Sequence, residues 1–245
     1  MVGLLAGIKT STPRVKKTDQ PPAPWKLRLI RHPVVDWLHF STYSLLFGCH
    51  LENIPELPAT PVIFAGNHGS HFDFLLLHEC LCRKLKRSVR GVAWDEMAHM
   101  PGVRLLFYAY EGVPVSVGKT TLALRRLVQA LHSGSDLWVQ CEGARYDVLH
   151  PFQPGAALAS LMSGSPIVPF SLRGVQPLFK NIPWPDRLWG NVSIRFHPLL
   201  YPQPYLEKYD DLRTASEQMT ADLRALVASG IDYPDGAASS TEATP

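Results

Sequence analysis

The stretch AGNHGSHFDFLLL, residues 65–77, sets His68, His71 and Asp73 between two apolar runs. Imidazole and carboxylate at this spacing suit three chemistries: a general base held by an orienting acid, a set of metal ligands, or a polar turn. A histidine at a strand end takes a proton from a bound hydroxyl when a carboxylate holds its other ring nitrogen. Asp73 comes five positions after His68, past a Gly-Ser turn that lets the chain reverse. At the first turn of a following helix it stays ionised, because the helix N-terminus favours negative charge. For a metal, His68, His71, His78, Cys80 and Cys82 offer neither His-Glu-x-x-His nor paired C-x-x-C. A serine nucleophile on an α/β sheet wants G-x-S-x-G, and Ser70 sits in the wrong frame. Cys141 precedes Glu142-Gly143 at a strand end, with no neighbour in sequence to activate a thiolate. On spacing alone, general base and capped polar loop both stay open.

Such residues need a scaffold. PVIFAGN (61–67) reads as a short buried strand between Pro and Gly, and FDFLLLHECLCRKL (72–85) as a packed helix. Strands are expected at 89–94, 112–117, 136–141, 166–172 and within 191–200. TTLALRRLVQALHSG opens with a Thr cap, puts Leu124, Leu127, Val128 and Leu131 on one face and stops at Gly134. Residues 154–164 read as a further helix, and 210–230 as an amphipathic one with Asp caps and a Gly stop. The β-α rhythm predicts an α/β domain with a mainly parallel or mixed central sheet covered by helices. Ligands in such sheets sit at the carboxyl ends of strands, where His68 and Glu142 fall.

At 245 residues, 46% hydrophobic and 18% charged, the chain has the makings of a sizeable core. A net charge of +3, with no RRM-like or zinc-finger spacing, does not point to nucleic acid. The charge is uneven. Seven cations precede residue 34 against Asp19 alone, and Arg83, Lys84, Lys86, Arg87 and Arg90 form a second cluster. Each is either a solvated surface or an attraction to an anionic membrane or substrate. The four cysteines show no disulfide-like spacing, so reduced thiols in a cytoplasmic setting are expected. The opening residues make a poor signal peptide, and no apolar run reaches the ~20 residues that span a bilayer. VVDWLHFSTYSLLFGC (34–49) suits a helix lying on a membrane. Trp25, Trp37, Trp184 and Trp189 are interface anchors or core residues. The expected organisation is a basic flexible segment (1–33), an interfacial helical segment (34–56), the α/β domain (57–230) and a disordered tail (231–245).

Read in order, four blocks carry a resemblance. NHGSHFD (67–73) resembles the N-H-x-x-x-x-D block of the phospholipid and glycerol acyltransferase family, the lysophosphatidic acid acyltransferases and their relatives. YEGVPVSVGK (110–119) is similar to that family's second block, VQCEGARYD (139–147) to its third, F-P-E-G-T-R-S, and GSPIVPFSLRG (164–174) to its fourth. The resemblance covers residues 60–175. It implies a glycerolipid acyltransferase-like fold, His68 as base with Asp73 its orienter, and Glu142, Gly143 and Arg145 holding the acceptor. The implied reaction moves a fatty acyl group from acyl-CoA or acyl carrier protein to a lysophospholipid hydroxyl, with no cofactor, metal or covalent acyl-enzyme. Its setting is an anionic membrane surface at the cytoplasmic face, with the protein peripheral or monotopic. The sequence departs from the family at Cys141 (usually Pro), at Ala144 (usually Thr), and where the second block usually ends in Arg. Val117-Gly118 stand there, with Lys119 as the nearest substitute cation. These departures bear on the acceptor more than on the reaction. Lyso-ornithine lipid or glycolipid acylation, thioester hydrolysis and a catalytically silent membrane-binding module remain as alternatives.

Overall fold

The alternation in PVIFAG is resolved into two faces, with Ile63 and Ala65 buried in one core cluster and Val62 and Phe64 in another. The computed structural model of the chain describes residues 48, 50–69, 73–100, 103–116, 120–144, 146, 148–174 and 192–231, with 26, 29, 32–35, 37, 38, 41 and 42 before them. The strands are β1 (His50–Glu52), β2 (Ile63–Gly66), β3 (Val89–Trp94), β4 (Val113–Val115), β5 (Asp136–Gln140), β6 (Ile167–Arg173) and β7 (Ser193–Phe196). They form one seven-stranded sheet in the order β1-β7-β6-β2-β5-β3-β4. Every pairing is parallel except β6 with β7. The mixed, mainly parallel α/β architecture is therefore as the sequence rhythm implied. Edge strand β4 carries Pro114, which edge positions tolerate because a missing N–H breaks no inner ladder.

Helices cover both faces. Helix α1 (Asp73–Leu77) continues into a π-helical stretch, His78–Lys84. Its Leu76, Leu77, Cys80 and Leu81 pack on the face of Phe64, Trp138 and Phe170. The other face is covered by α3 (Thr120–His132), α4 (Gly155–Ser163) and α6 (Leu212–Ala228). As expected, α6 starts on a capping Asp211, whose side chain accepts from Thr214 N at 2.8 Å. Two further helices, α2 (Val103–Ala109) and α5 (Gln203–Lys208), and a 3-10 turn, Asp95–Ala98, were not anticipated. They are too short for a helical period to emerge, and α5 begins on Pro202, which reads as a breaker in sequence.

Four expectations change. The helix of 72–85 is not uniformly α: Leu85 N–H reaches back five residues to Cys80 O, the π spacing that marks functional neighbourhoods in other helices. Residues 34–56 are not one helical segment, because β1 pairs with β7 within them. The cysteines are not all thiols: Cys82 and Cys141 are free, whereas Cys80 is disulfide-bonded. The second basic cluster is partly structural. Arg87 grips Asp136 through Nε (2.6 Å) and Nη2 (2.8 Å) and also donates to the carbonyls of Pro58 and Thr60. Asp136 accepts from Val62 N as well, so one buried carboxylate gathers the amino ends of three neighbouring strands.

Ahead of the sheet, Lys26, Leu29, Pro33–Val35, Trp37, Leu38, Ser41 and Thr42 are helical. Val34 (57%), Trp37 (57%) and Leu38 (54%) are exposed at i, i+3, i+4 spacing, an apolar stripe facing outward. Among the described residues, no helix is long and apolar enough to cross a membrane. Trp25, Trp184 and Trp189 lie outside the described residues.

Candidate active site

Strand β2 ends at Gly66, and the next three residues form the loop that leads toward α1. Glycine is required there by close approach: a Cβ on Gly66 would meet the Phe170 ring at 2.6 Å. Asn67, fully buried, extends the strand with its side chain, accepting from Leu172 N (2.7 Å) and donating to Leu172 O (2.9 Å). The loop is thereby tied to β6 before it turns. His68 follows with its side chain 20% exposed, and its Nδ1 lies 2.8 Å from Oδ2 of Asp73, which is fully buried at the start of α1. The same oxygen accepts from Gly69 N (2.9 Å) and from the Gln140 side-chain amide (2.9 Å). An oxygen so engaged is an acceptor, which puts the histidine proton on Nδ1 and leaves Nε2 with a lone pair.

Glu142, just past β5, is 4% exposed. The sequence reading gave it to the acceptor; its oxygens instead receive two backbone amides, His68 N at 2.7 Å and His150 N at 2.9 Å. Burial raises its carboxyl above the ordinary range, while the two amides, His68 and Arg224 work in the opposite direction. Arg224 of α6 donates to the carbonyls of Leu149 and His150, holding that loop from outside. Tyr146 stacks on the His150 ring at 3.5 Å. Gly143 has φ +72°, a left-handed turn that suits glycine at this bend. Arg145 and Lys119, with Ser70 and His71, lie outside the described residues.

Two other groups have a nucleophile's composition without its properties. Cys141 is 2% exposed, and burial pushes its thiol far up, so no thiolate forms near neutrality. Ser171 lies 2.7 Å from His197 Nε2, but its hydroxyl donates to Val227 O at 2.7 Å, which fastens the end of α6 to β6. His78 packs its ring on Tyr110, with centroids 4.1 Å apart. No group of three or more His, Cys, Asp or Glu is gathered as for a metal among the described residues.

The structure brings His68, Asp73 and Glu142, which the sequence singles out, together with Gln140, His150 and Arg224, which it does not. Nothing local marks those three: Gln140 sits 67 positions from Asp73, and Arg224 sits 74 from His150.

Comparison with known proteins follows the same lines. The model of the Acyltransferase family matches residues 48–173. Among solved structures, the fold is similar to that of the 1-acyl-sn-glycerophosphate (LPA) acyltransferase PlsC from Thermotoga maritima. The TM-score is 0.52 at 20% identity, covering 78% of this chain and 79% of that one. Comparison with curated proteins finds no significant match.

Proposed function

This chain belongs to the acyltransferase family, and on that footing we propose that it acylates a lysophospholipid. The donor is a fatty acyl thioester, either acyl-CoA or acyl carrier protein, and the first-choice acceptor is 1-acyl-glycerol-3-phosphate. The setting is phospholipid biosynthesis at the cytoplasmic face of a membrane. The observation that carries the reading is the 2.8 Å contact between His68 Nδ1 and the buried Asp73.

In the proposed reaction, Nε2 of His68 removes the acceptor hydroxyl's proton as that oxygen attacks the thioester carbonyl. Asp73 steadies the imidazolium that forms. The tetrahedral intermediate collapses, the carbon–sulfur bond breaks and the imidazolium proton goes to the departing sulfur. No cofactor and no acyl-enzyme enters the balance. Glu142 serves by fixing the backbone of the base. Gly143 and Arg145 hold the acceptor, the guanidinium fork matching two phosphate oxygens. Lys119, ahead of α3, adds a looser point charge. The exposed stripe of Val34, Trp37 and Leu38, with the cations before it, supports peripheral attachment to an anionic surface.

The test uses the full chain with labelled acyl-CoA, labelled acyl carrier protein and a panel of lysolipids. Acyl transfer is expected, with His68→Ala lowering kcat by about 10²-fold or more, the scale of a positioned base. Asp73→Asn is expected to be severe as well. Near-normal turnover by a folded His68→Ala protein would sink the mechanism. A phosphate-free acceptor used better than 1-acyl-glycerol-3-phosphate moves the assignment to lyso-ornithine lipid or glycolipid. Label released as free fatty acid makes the protein a hydrolase, and no turnover at all leaves a membrane-binding module.

A further inference from the structure

Among the described residues, three donors converge on one oxygen, Asp73 Oδ2: His68 Nδ1, Gly69 N and Gln140 Nε2. Two belong to the loop that contains the base. The third arrives from another strand. Gln140 closes β5 directly beside Gly66 and lies two positions beyond Trp138, on the sheet face that α1 covers. In the block F-P-E-G-T-R-S its position is that of the phenylalanine, a ring with no hydrogen to donate. The amide is therefore a feature of this chain, not of the block.

We propose that Gln140 is a positioning residue for the His68–Asp73 pair. Its amide locks the carboxylate against rotation and shares the oxygen that the histidine uses. This rests on the reading of His68 as the base. A carboxylate oxygen offers about two lone-pair sites, so three donors on it divide its capacity and each bond weakens the others. A neutral amide draws carboxylate charge toward itself without cancelling it. The imidazolium formed during proton transfer is then held less tightly than by an unshared carboxylate, which eases delivery of its proton to the leaving sulfur. Among the described residues, the charged neighbours of the base are Asp73 at its ring and Glu142 at its backbone amide, with Arg224 behind Glu142.

The experiment compares Gln140→Met, close in length but without a donor, and Gln140→Phe, the residue of the family block, with the unmutated full chain. Melting temperatures identify which variants fold. In either folded variant the far-downfield Nδ1–H proton resonance, assigned by its loss in His68→Ala, is expected to move further downfield as the His–Asp bond tightens. With acyl-CoA and a lysophospholipid, kcat is expected to fall about tenfold while KM holds, since Gln140 acts through Asp73. The acid limb of the kcat profile is expected to move to higher pH, because the oxygen then serves one donor fewer and more of the carboxylate charge falls on the imidazolium. A role in packing alone lowers the melting temperature and leaves resonance and limb in place, and that result overturns the proposal. The resonance does not depend on turnover. A shifted resonance in a protein without acyl transfer supports the placement of Gln140 while refuting the reaction; an unshifted one in an active enzyme refutes Gln140 alone.

Discussion

Glu142 keeps a carboxylate out of water beside the proposed base, and its ionisation has two opposed consequences. Burial raises its carboxyl above the ordinary 4.5, so the folded protein takes up this proton before the unfolded chain does. The ionised form therefore costs stability above the raised value, and that cost fades as pH falls through it toward 4.5. The protonated form, however, turns an O–H toward amides that need acceptors, and the His68 loop loosens. Mild acid is expected to leave the melting temperature level or slightly higher on this account while kcat falls. Glu142→Gln is expected to act likewise at neutral pH, losing about tenfold or more in kcat with little change in melting temperature; unchanged turnover would remove the brace from the mechanism. His68 and Asp73 were legible in the sequence because one short loop contains both. The direction in which Glu142 points was not, since its partners His68 and His150 come from separate loops.

At the scale of elements, the opposite end of the sheet is held by the Asp136–Arg87 clamp, whose side chains are 4% and 20% exposed. Removing one partner of such a pair leaves the other uncompensated. Asp136→Asn is expected to destabilise the fold by roughly 3 kcal/mol in urea titration. Turnover per folded molecule is expected to survive at low temperature, because the clamp lies at the amino ends of the strands and the site at the carboxyl ends. A large loss of kcat without loss of stability would contradict that separation. The long elements were readable because each repeats one rule: alternation in β2, an apolar stripe in α3 and a capped amphipathic run in α6. The missed ones, α2, α5 and β1, are seven, six and three residues long. The split of the helix after Asp73 was hidden too, since a π turn differs from an α turn in backbone bonding and not in residue pattern.

For the molecule as a whole, the outward stripe before the sheet and the site at the strand ends pose one question of placement. Removing residues 1–47 spares β1 and takes away Val34, Trp37, Leu38 and the basic residues ahead of them. That variant is expected to lose co-sedimentation with anionic vesicles. High salt is expected to weaken only the share contributed by Lys and Arg. Trp37→Ala with Leu38→Ala should reproduce the salt-resistant part of the loss. Binding indifferent to all three changes would place the membrane contact elsewhere.

The strand order also governs when the protein comes to exist during synthesis. Central strand β2 lies between β5 and β6, both made long after it, and the bond from Val62 to Asp136 already spans 74 residues. Pairings of such separation form slowly, since a long loop must close before any contact rewards it. Until then the nascent chain carries PVIFAG unpaired, a run prone to association with other chains. His68 and Asp73 can meet early, but Gln140 and Glu142 are absent until β5 has been made. A chain halted on the ribosome at residue 135 would hold both members of the pair and the Gly69 amide, but neither Gln140 nor Glu142 to aim them.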